Sequence, residues 1–179
     1  MKKTILYAVI LLLAVACKTK ETTNTDAATT SSGTADFPYT LEKGWNNWQT
    51  GDPQNAVILL KMIKAWETKN VEECVTYFAD SVVMSVDYYH AKLSNDSIAS
   101  FLNGTYTQYK DLKVEMQDWE SVISEDKKSE WATVWYKQSW TDAKGVADSI
   151  QLINEAKIEN GKITVFDEYS MHYPAAAKK

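Results

Sequence analysis

The 179-residue chain contains no arginine, since all 19 of its basic residues are lysine. Without guanidinium groups it lacks the bidentate donor that phosphoryl-transfer and nucleic-acid sites commonly use. The formal net charge of −5 argues in the same direction, because nucleic acids are usually bound by a basic surface. We therefore expect no nucleic-acid partner.

Cysteine and histidine are also scarce. Two cysteines, Cys17 and Cys74, cannot build a disulfide framework. The sequence contains no His-x-His, HExxH or CxxC cluster, so we expect no metal site and no cofactor. Ser97 and Ser100 do not lie in a nucleophile-elbow motif, and no hydrolase triad is readable.

The apolar run 5–13 is too short to be a membrane-spanning helix of about 20 residues, even with the small residues 14–16 added. Lys2 and Lys3 precede it, and the small residues 14–16 lead into Cys17, as in a signal peptide. This end resembles a bacterial lipobox, in which the cysteine is lipidated, for example with palmitate. We expect a signal peptide at 1–16 and a lipid anchor at Cys17. The protein would then lie in the cell envelope, on the outer membrane or a membrane facing the periplasm. An ordinary secretory signal is the alternative.

Composition divides the rest of the chain. Residues 17–36 are rich in Thr and Ser without a large apolar side chain, which is typical of a disordered tether. Residues 37–51 form an aromatic lead-in with Trp45 and Trp48, whose role the sequence does not indicate. We expect one domain at 52–174 and a short tail at 175–179.

Three helices are predicted at the start of the domain. Asp52 followed by a proline marks the first, in which apolar residues recur at helical spacing as far as Lys69. Asn70, with an acidic residue three positions on, predicts a variant of the capping box and a second short helix that ends near Asp80. A β-branched strand follows at 81–86, and Ser94 caps the third helix.

After Lys110 the apolar period changes to two, which predicts strands at 112–124, 129–141, 146–159 and 162–173. Their short connections suit antiparallel hairpins. Helices followed by such a meander predict an α+β fold, with the helices on one face of a curved antiparallel sheet.

The motifs YFADSVVMSVDYY and NGKITVFDEY, with a serine-capped third helix between them, resemble the nuclear transport factor 2-like superfamily, in particular its SnoaL-like bacterial branch. The resemblance covers 52–173 and implies a cystatin-like cone whose curved sheet wraps the first helix around a pocket. Members of the superfamily include isomerases, polyketide cyclases, dehydratases, epoxide hydrolases and binding or association domains. The fold therefore does not determine the function.

Three residues are candidates for acid–base catalysis. Asp118 and Asp167 each fall in an otherwise apolar strand phase, where desolvation would raise the pKa of a carboxyl group. His90 follows the first strand, where members of the superfamily often line the pocket mouth. The alternatives are a strand bulge that turns a carboxylate outward, a structural hydrogen bond, or a surface histidine.

In the isomerases that this chain resembles, the position of a catalytic aspartate corresponds to Val86 here, and Asp87 comes one residue too late. The position of their second oxyanion donor falls at or beside Asn154. The first helix contains no tyrosine for the first donor, so isomerase chemistry is disfavoured. Epoxide hydrolases of this fold use an Asp–Arg–Asp arrangement, which the absence of arginine excludes.

The expected pocket-lining residues are those with large apolar or aromatic side chains, and one amide, on the helices and strands that would face the cone. They are Trp66, Tyr77, Met84, Val86, Phe101, Trp135, Asn154 and Tyr169. Tryptophans on the central strands would also place indole on the outer sheet face, where a homodimer or a sugar platform would form.

Three functions stay open from sequence. The leading one is non-catalytic binding of a small apolar or amphipathic molecule. The second is a SnoaL-like isomerase, cyclase or dehydratase that uses Asp118, Asp167 or His90. The third is an association domain that dimerises through the sheet.

Overall fold

The structure, a computed structural model, describes residues 38–39 and 47–172. The expected signal peptide, Cys17, the tether, Trp45 and the tail lie outside the described residues. The elements, in chain order, are β1 (Gln49–Thr50), α1 (Pro53–Glu67), α2 (Val71–Thr76), β2 (Phe78–Val86), β3 (Tyr89–Ser94), α3 (Asn95–Tyr106), β4 (Lys110–Ile123), β5 (Glu130–Thr141), β6 (Ala147–Glu159) and β7 (Lys162–His172). No helix among them is long and apolar enough to cross a membrane.

The three predicted helix caps are present. The Asp52 carboxylate accepts a hydrogen bond from the Gln54 backbone N–H at 2.8 Å. Asn70 Oδ1 accepts from the Glu73 N–H at 3.1 Å, and its side-chain amide donates to the Glu73 carboxylate at 3.0 Å. The Asn70 backbone N–H donates to the Ala65 carbonyl, so this end is a variant of the capping box. Ser94 accepts from the Ser97 N–H at 3.3 Å. Each contact satisfies a backbone donor that the first turn leaves free.

The second helix is shorter than predicted, because the chain becomes a strand at Phe78. The Tyr77 carbonyl accepts from the Ile163 N–H at 2.9 Å, and Phe78 pairs with Ile163 in a parallel ladder. Phe78 is buried, and its ring contacts that of Phe166 edge-on with centroids 6.0 Å apart. The apolar period of the sequence continues into Phe78, but pairing with β7 stabilises extended backbone there.

The sheet has seven strands in the order β1-β4-β5-β6-β7-β2-β3. The predicted meander is confirmed as β4 to β7, with ends that differ by two residues at most. The α+β class is also confirmed, with a curved sheet. The sheet is mixed rather than wholly antiparallel, because β2 runs parallel to β7. The sequence did not predict β1 or β3 as strands.

Two bulges set which residues face inward. In β4, Met116 pairs with Tyr136 and Asp118 pairs with Trp135, so Gln117 is the extra residue. In β7, Ile163 pairs with Ile158 and Val165 with Lys157, so Thr164 is extra. An extra residue shifts all later side chains of the strand to the opposite face.

The core lies between the helices and the inner face of the sheet. Helix α1 packs against β4 and β5, and α3 contacts β2 and β3. The most deeply buried side chains include Leu59, Ile98, Val134, Tyr136 and Asn154. A buried amide in this apolar set requires hydrogen-bond partners, and these define the site described below.

Candidate ligand-binding cavity

A cavity of about 310 Å³ lies between helices α1 and α3 and the inner face of the sheet. Most of its wall is aromatic or aliphatic. The lining residues with aromatic rings are Trp66, Phe78, Tyr89, Phe101, Tyr109, Tyr136 and Phe166. The polar lining residues are Asp87, Thr105, Gln138, Asn154 and Glu168.

Ring contacts fix the aromatic wall. Trp66 stacks on Tyr106 with centroids 4.5 Å apart and meets Tyr109 edge-on at 6.2 Å. The Trp66 indole N–H donates to the Gln138 amide oxygen at 2.7 Å. Tyr89 stacks on Phe101 at 5.7 Å and remains 42% exposed. The Tyr89–Phe101 pair therefore lies where the cavity opens to solvent, whereas Trp66 is held by two rings and a hydrogen bond.

Three side chains from neighbouring strands form a polar chain in the cavity wall. The Tyr136 hydroxyl donates to Asn154 Oδ1 at 2.7 Å, and Asn154 Nδ2 donates to Glu168 Oε2 at 3.1 Å. Tyr136 and Asn154 are almost fully buried. Because the tyrosine proton fixes the amide oxygen, the amide must present its N–H to Glu168.

Glu168 is the acidic end of this chain. Removal from water raises the pKa of its carboxyl group, the Asn154 hydrogen bond opposes that rise, and the negative charge of Asp87 adds to it. Glu168 takes part in no ion pair within the described part of the chain, and no donor there reaches its second oxygen. The cavity thus contains a carboxyl group whose charged form lacks a counter-ion.

The residues between 47 and 172 supply no metal centre. No three His, Cys, Asp or Glu side chains in this part of the chain lie close enough to hold a metal ion. Cys74 is buried, and desolvation raises the pKa of its thiol to about 12, so at neutral pH it carries little of the thiolate form that a nucleophile needs.

Solved structures with the same arrangement of helices and sheet are numerous. A nuclear transport factor 2-like protein of unknown function from Exiguobacterium sp. aligns over 64% of this chain and 98% of its own, with 16% identity and a TM-score of 0.54. The chain has the nuclear transport factor 2-like fold. No protein-family model matches the sequence, and no curated protein matches it.

Two further structures show the range of this nuclear transport factor 2-like fold. A putative hydroxylase from Streptomyces galilaeus aligns over 69% of this chain and 83% of its own, with 15% identity and a TM-score of 0.55. A hypothetical protein with a ketosteroid isomerase-like fold from Catenulispora acidiphila, solved with trimethylamine, covers 63% and 83%, with 14% identity and a TM-score of 0.52. At such identities the likeness concerns the fold alone.

Within the nuclear transport factor 2-like fold, five of the eight expected pocket residues line the cavity: Trp66, Met84, Val86, Phe101 and Asn154. The other three lie elsewhere. The Tyr77 hydroxyl donates to the Glu73 carboxylate at 3.1 Å at the end of α2. Trp135 alternates with the inward Tyr136 and faces outward, as does Tyr169, which lies beyond the β7 bulge.

The three acid–base candidates do not meet in the cavity. Asp118 follows the β4 bulge and is exposed, and it accepts from the Trp119 backbone N–H at 2.8 Å. Asp167 pairs with Glu155 on the outer face of the sheet. His90 is exposed, with Nδ1 2.9 Å from the Ser85 hydroxyl. Of the alternatives given for Asp118, the structure contains the strand bulge that turns the carboxylate outward.

Sequence reasoning missed Glu168, and it took Asp87 to lie one residue beyond the position that faces the pocket. A regular β7 would place Asp167 with Ile163 inside and Glu168 outside, and the Thr164 bulge reverses this. The one sign of this in the sequence is that the neighbouring residues Val165 and Phe166 are both apolar, which breaks the alternation of inward and outward side chains. Asp87 reaches the cavity because its φ of 51° turns the chain after Val86 instead of continuing the strand.

Proposed function

We propose that the protein is an envelope lipoprotein whose domain binds a small, mainly apolar molecule in this cavity without converting it. The observation that carries the proposal is a formed cavity of about 310 Å³ lined by seven aromatic rings. Ligand pockets are typically concave, mostly apolar and preformed, with volumes from about 300 Å³ upward.

The polar chain supports an amphipathic ligand. Glu168, Asn154 and Gln138 lie on the sheet wall, while Met62, Ile63 and Leu102 lie on the helix wall. A molecule with one polar end and an apolar body therefore fits the cavity better than a sugar or another evenly polar molecule. The Catenulispora protein, solved in complex with trimethylamine, is a further support, since it is a protein of this fold that binds a small molecule.

A pair of substitutions on one strand tests cavity binding. Val86 lines the cavity, whereas Val83 points to the opposite face of β2. We expect the neutral dye N-phenyl-1-naphthylamine to gain fluorescence with the intact chain. Val86→Phe should weaken dye binding at least about tenfold by filling the cavity, a loss of about 1.4 kcal/mol, and Val83→Phe should leave it unchanged.

The two controls separate binding from unspecific adsorption. Equal loss in both variants, with unchanged far-ultraviolet circular dichroism, would show that the dye binds outside the cavity. No fluorescence gain with the unmodified protein would contradict the proposal directly.

Acid–base catalysis is the second candidate, and the observation that favours it is Glu168 itself. A carboxyl group with a raised pKa suits a general acid or base. The three residues predicted from sequence lie outside the cavity, so Glu168 would act in their place. Mass spectrometry of the ligand that co-purifies, before and after prolonged incubation, distinguishes the two functions. An unchanged ligand supports binding alone, and conversion that Glu168→Gln abolishes supports catalysis.

A further inference from the structure

The charged residues of the cavity wall are both acidic. Asp87 and Glu168 line it, and no lysine or histidine of the described residues does. The field of Glu168 extends across the cavity, since it raises the pKa of the Tyr109 and Tyr136 hydroxyls, with desolvation as the larger cause. A bound molecule therefore meets a negative potential at this wall.

The Glu168 carboxylate also lacks a counter-charge. Its one hydrogen bond within residues 47–172 comes from Asn154, and its Oε1 is free to accept another. Desolvating a carboxylate without a cation is costly, and a cation inside the cavity would recover part of that cost.

Aromatic rings surround the same space. Tyr109 and Tyr136 lie close enough to Glu168 to respond to its charge, and Trp66 meets Tyr109 edge-on at 6.2 Å. The negative face of an aromatic ring attracts alkylammonium ions, and tryptophan and tyrosine do so most strongly. The attraction increases when the cation is removed from water, as it would be here.

We propose that the ligand of this cavity carries an alkylammonium group, which lies against Glu168 and the rings of Trp66, Tyr109 and Tyr136. Its apolar body packs between Met62 of α1 and Leu102 of α3. Asp87, exposed where β2 turns into β3, adds negative charge at the cavity mouth and favours entry of a cation. This inference rests on the proposed function and specifies its ligand class.

Two probes of equal shape isolate the charge. Phenyltrimethylammonium and tert-butylbenzene differ by a positive nitrogen in place of a neutral carbon. Ligand-detected NMR titration of the intact chain should show the ammonium compound binding at least about tenfold more tightly. Glu168→Gln should abolish that preference, so that the two probes bind with similar affinity.

Glu155→Gln is the matched control. Glu155 is a partly buried glutamate on β6, next to Asn154 in sequence, and desolvation raises the pKa of its carboxyl group too. It faces the outer side of the sheet, so its substitution makes the same charge change outside the cavity. The preference for the ammonium compound should persist in this variant.

Each other outcome overturns the inference. If both probes bind with similar affinity, or if Glu168→Gln keeps the preference, the cavity binds apolar molecules without selecting a cation, and the proposed function stands alone. If Glu155→Gln also loses the preference for the ammonium compound, the preference comes from the overall charge of the protein and not from Glu168. If neither probe binds, the proposed function and this inference fail together.

Discussion

At the scale of single residues, Glu168 determines the chemistry of the cavity. Among the described residues it receives one N–H, from Asn154, and pairs with no cation. Without a ligand, its carboxyl group therefore resists ionisation. Such a group lowers the stability of the fold at neutral pH, since the unfolded chain ionises it more readily. Retaining an unfavourable group in a cavity wall is common where binding requires it.

Replacing Glu168 by Gln should therefore stabilise the empty protein. The pKa of Glu168 is raised in the folded protein, so the folded protein binds this proton more tightly than the unfolded chain does. The free energy of unfolding therefore falls as the pH rises from the usual carboxyl pKa of 4.5 through the pKa of the folded state. At pH 7 we expect Glu168→Gln to increase the free energy of unfolding by on the order of 1 kcal/mol. At pH 4 the increase should disappear. Urea denaturation at both pH values measures this.

The control is Glu115→Gln on the exposed side of β4. The hydrogen bond and charge of Lys113 lower the pKa of Glu115, so this substitution removes a favourable contact and gives no stabilisation at pH 7. A stability increase in Glu168→Gln that persists at pH 4 would show that packing, and not ionisation, is responsible.

At the scale of elements, the bulge at Thr164 decides which acidic residue enters the cavity. With it, Phe166 pairs with Ala156 and Glu168 with Asn154 on the inner face. A strand without it would turn Asp167, Tyr169 and Met171 inward. Tyr169 and Met171 are more than half exposed, as the bulged register requires.

Cysteine labelling at two adjacent positions tests this register. In a Cys17→Ser background, Tyr169→Cys should react with a maleimide several-fold faster than Ser170→Cys, because Tyr169 is 54% exposed and Ser170 pairs with Leu152 on the inner face. The native Cys74 should not interfere, since its thiol is buried with a pKa of about 12. A faster reaction at position 170 would mean that the strand has no bulge.

The elements themselves were largely predictable, because their signals are local. Asp52, Asn70 and Ser94 each cap a helix through contacts within three residues. The turn Asn160–Gly161, where both residues have positive φ, joins β6 to β7 as its sequence indicates. Phe78 was assigned to a helix because its partner, Ile163, is distant in sequence.

At the scale of the whole molecule, the cavity requires both layers. Helices α1 and α3 supply one wall and strands β2, β5, β6 and β7 the other. The outer face of the sheet has a second concavity, lined in part by Trp131 and Tyr169. The hypothesis that two copies associate through this face stays a prediction.

The proposed envelope location is tested by comparing the two cysteines. We expect the protein to fractionate with membranes and to incorporate a palmitate label. Cys17→Ser should abolish the label and release the protein, because the anchor would be covalent. Cys74→Ala should keep both, since Cys74 is buried in the core. A chain that stays in the membrane fraction after Cys17→Ser would contradict lipid anchoring.

The sequence by itself determined the helix caps, the hairpin turns and the α+β class, because these depend on local contacts and on apolar periodicity. It also placed Asn154 on the inner face, since β6 is regular from end to end. Only the tertiary structure decided that Glu168, and not Asp118 or Asp167, meets that amide. A bulge is stabilised by cross-strand pairing and curvature, which an apolar pattern does not encode, and one extra residue exchanges the two faces of all that follows.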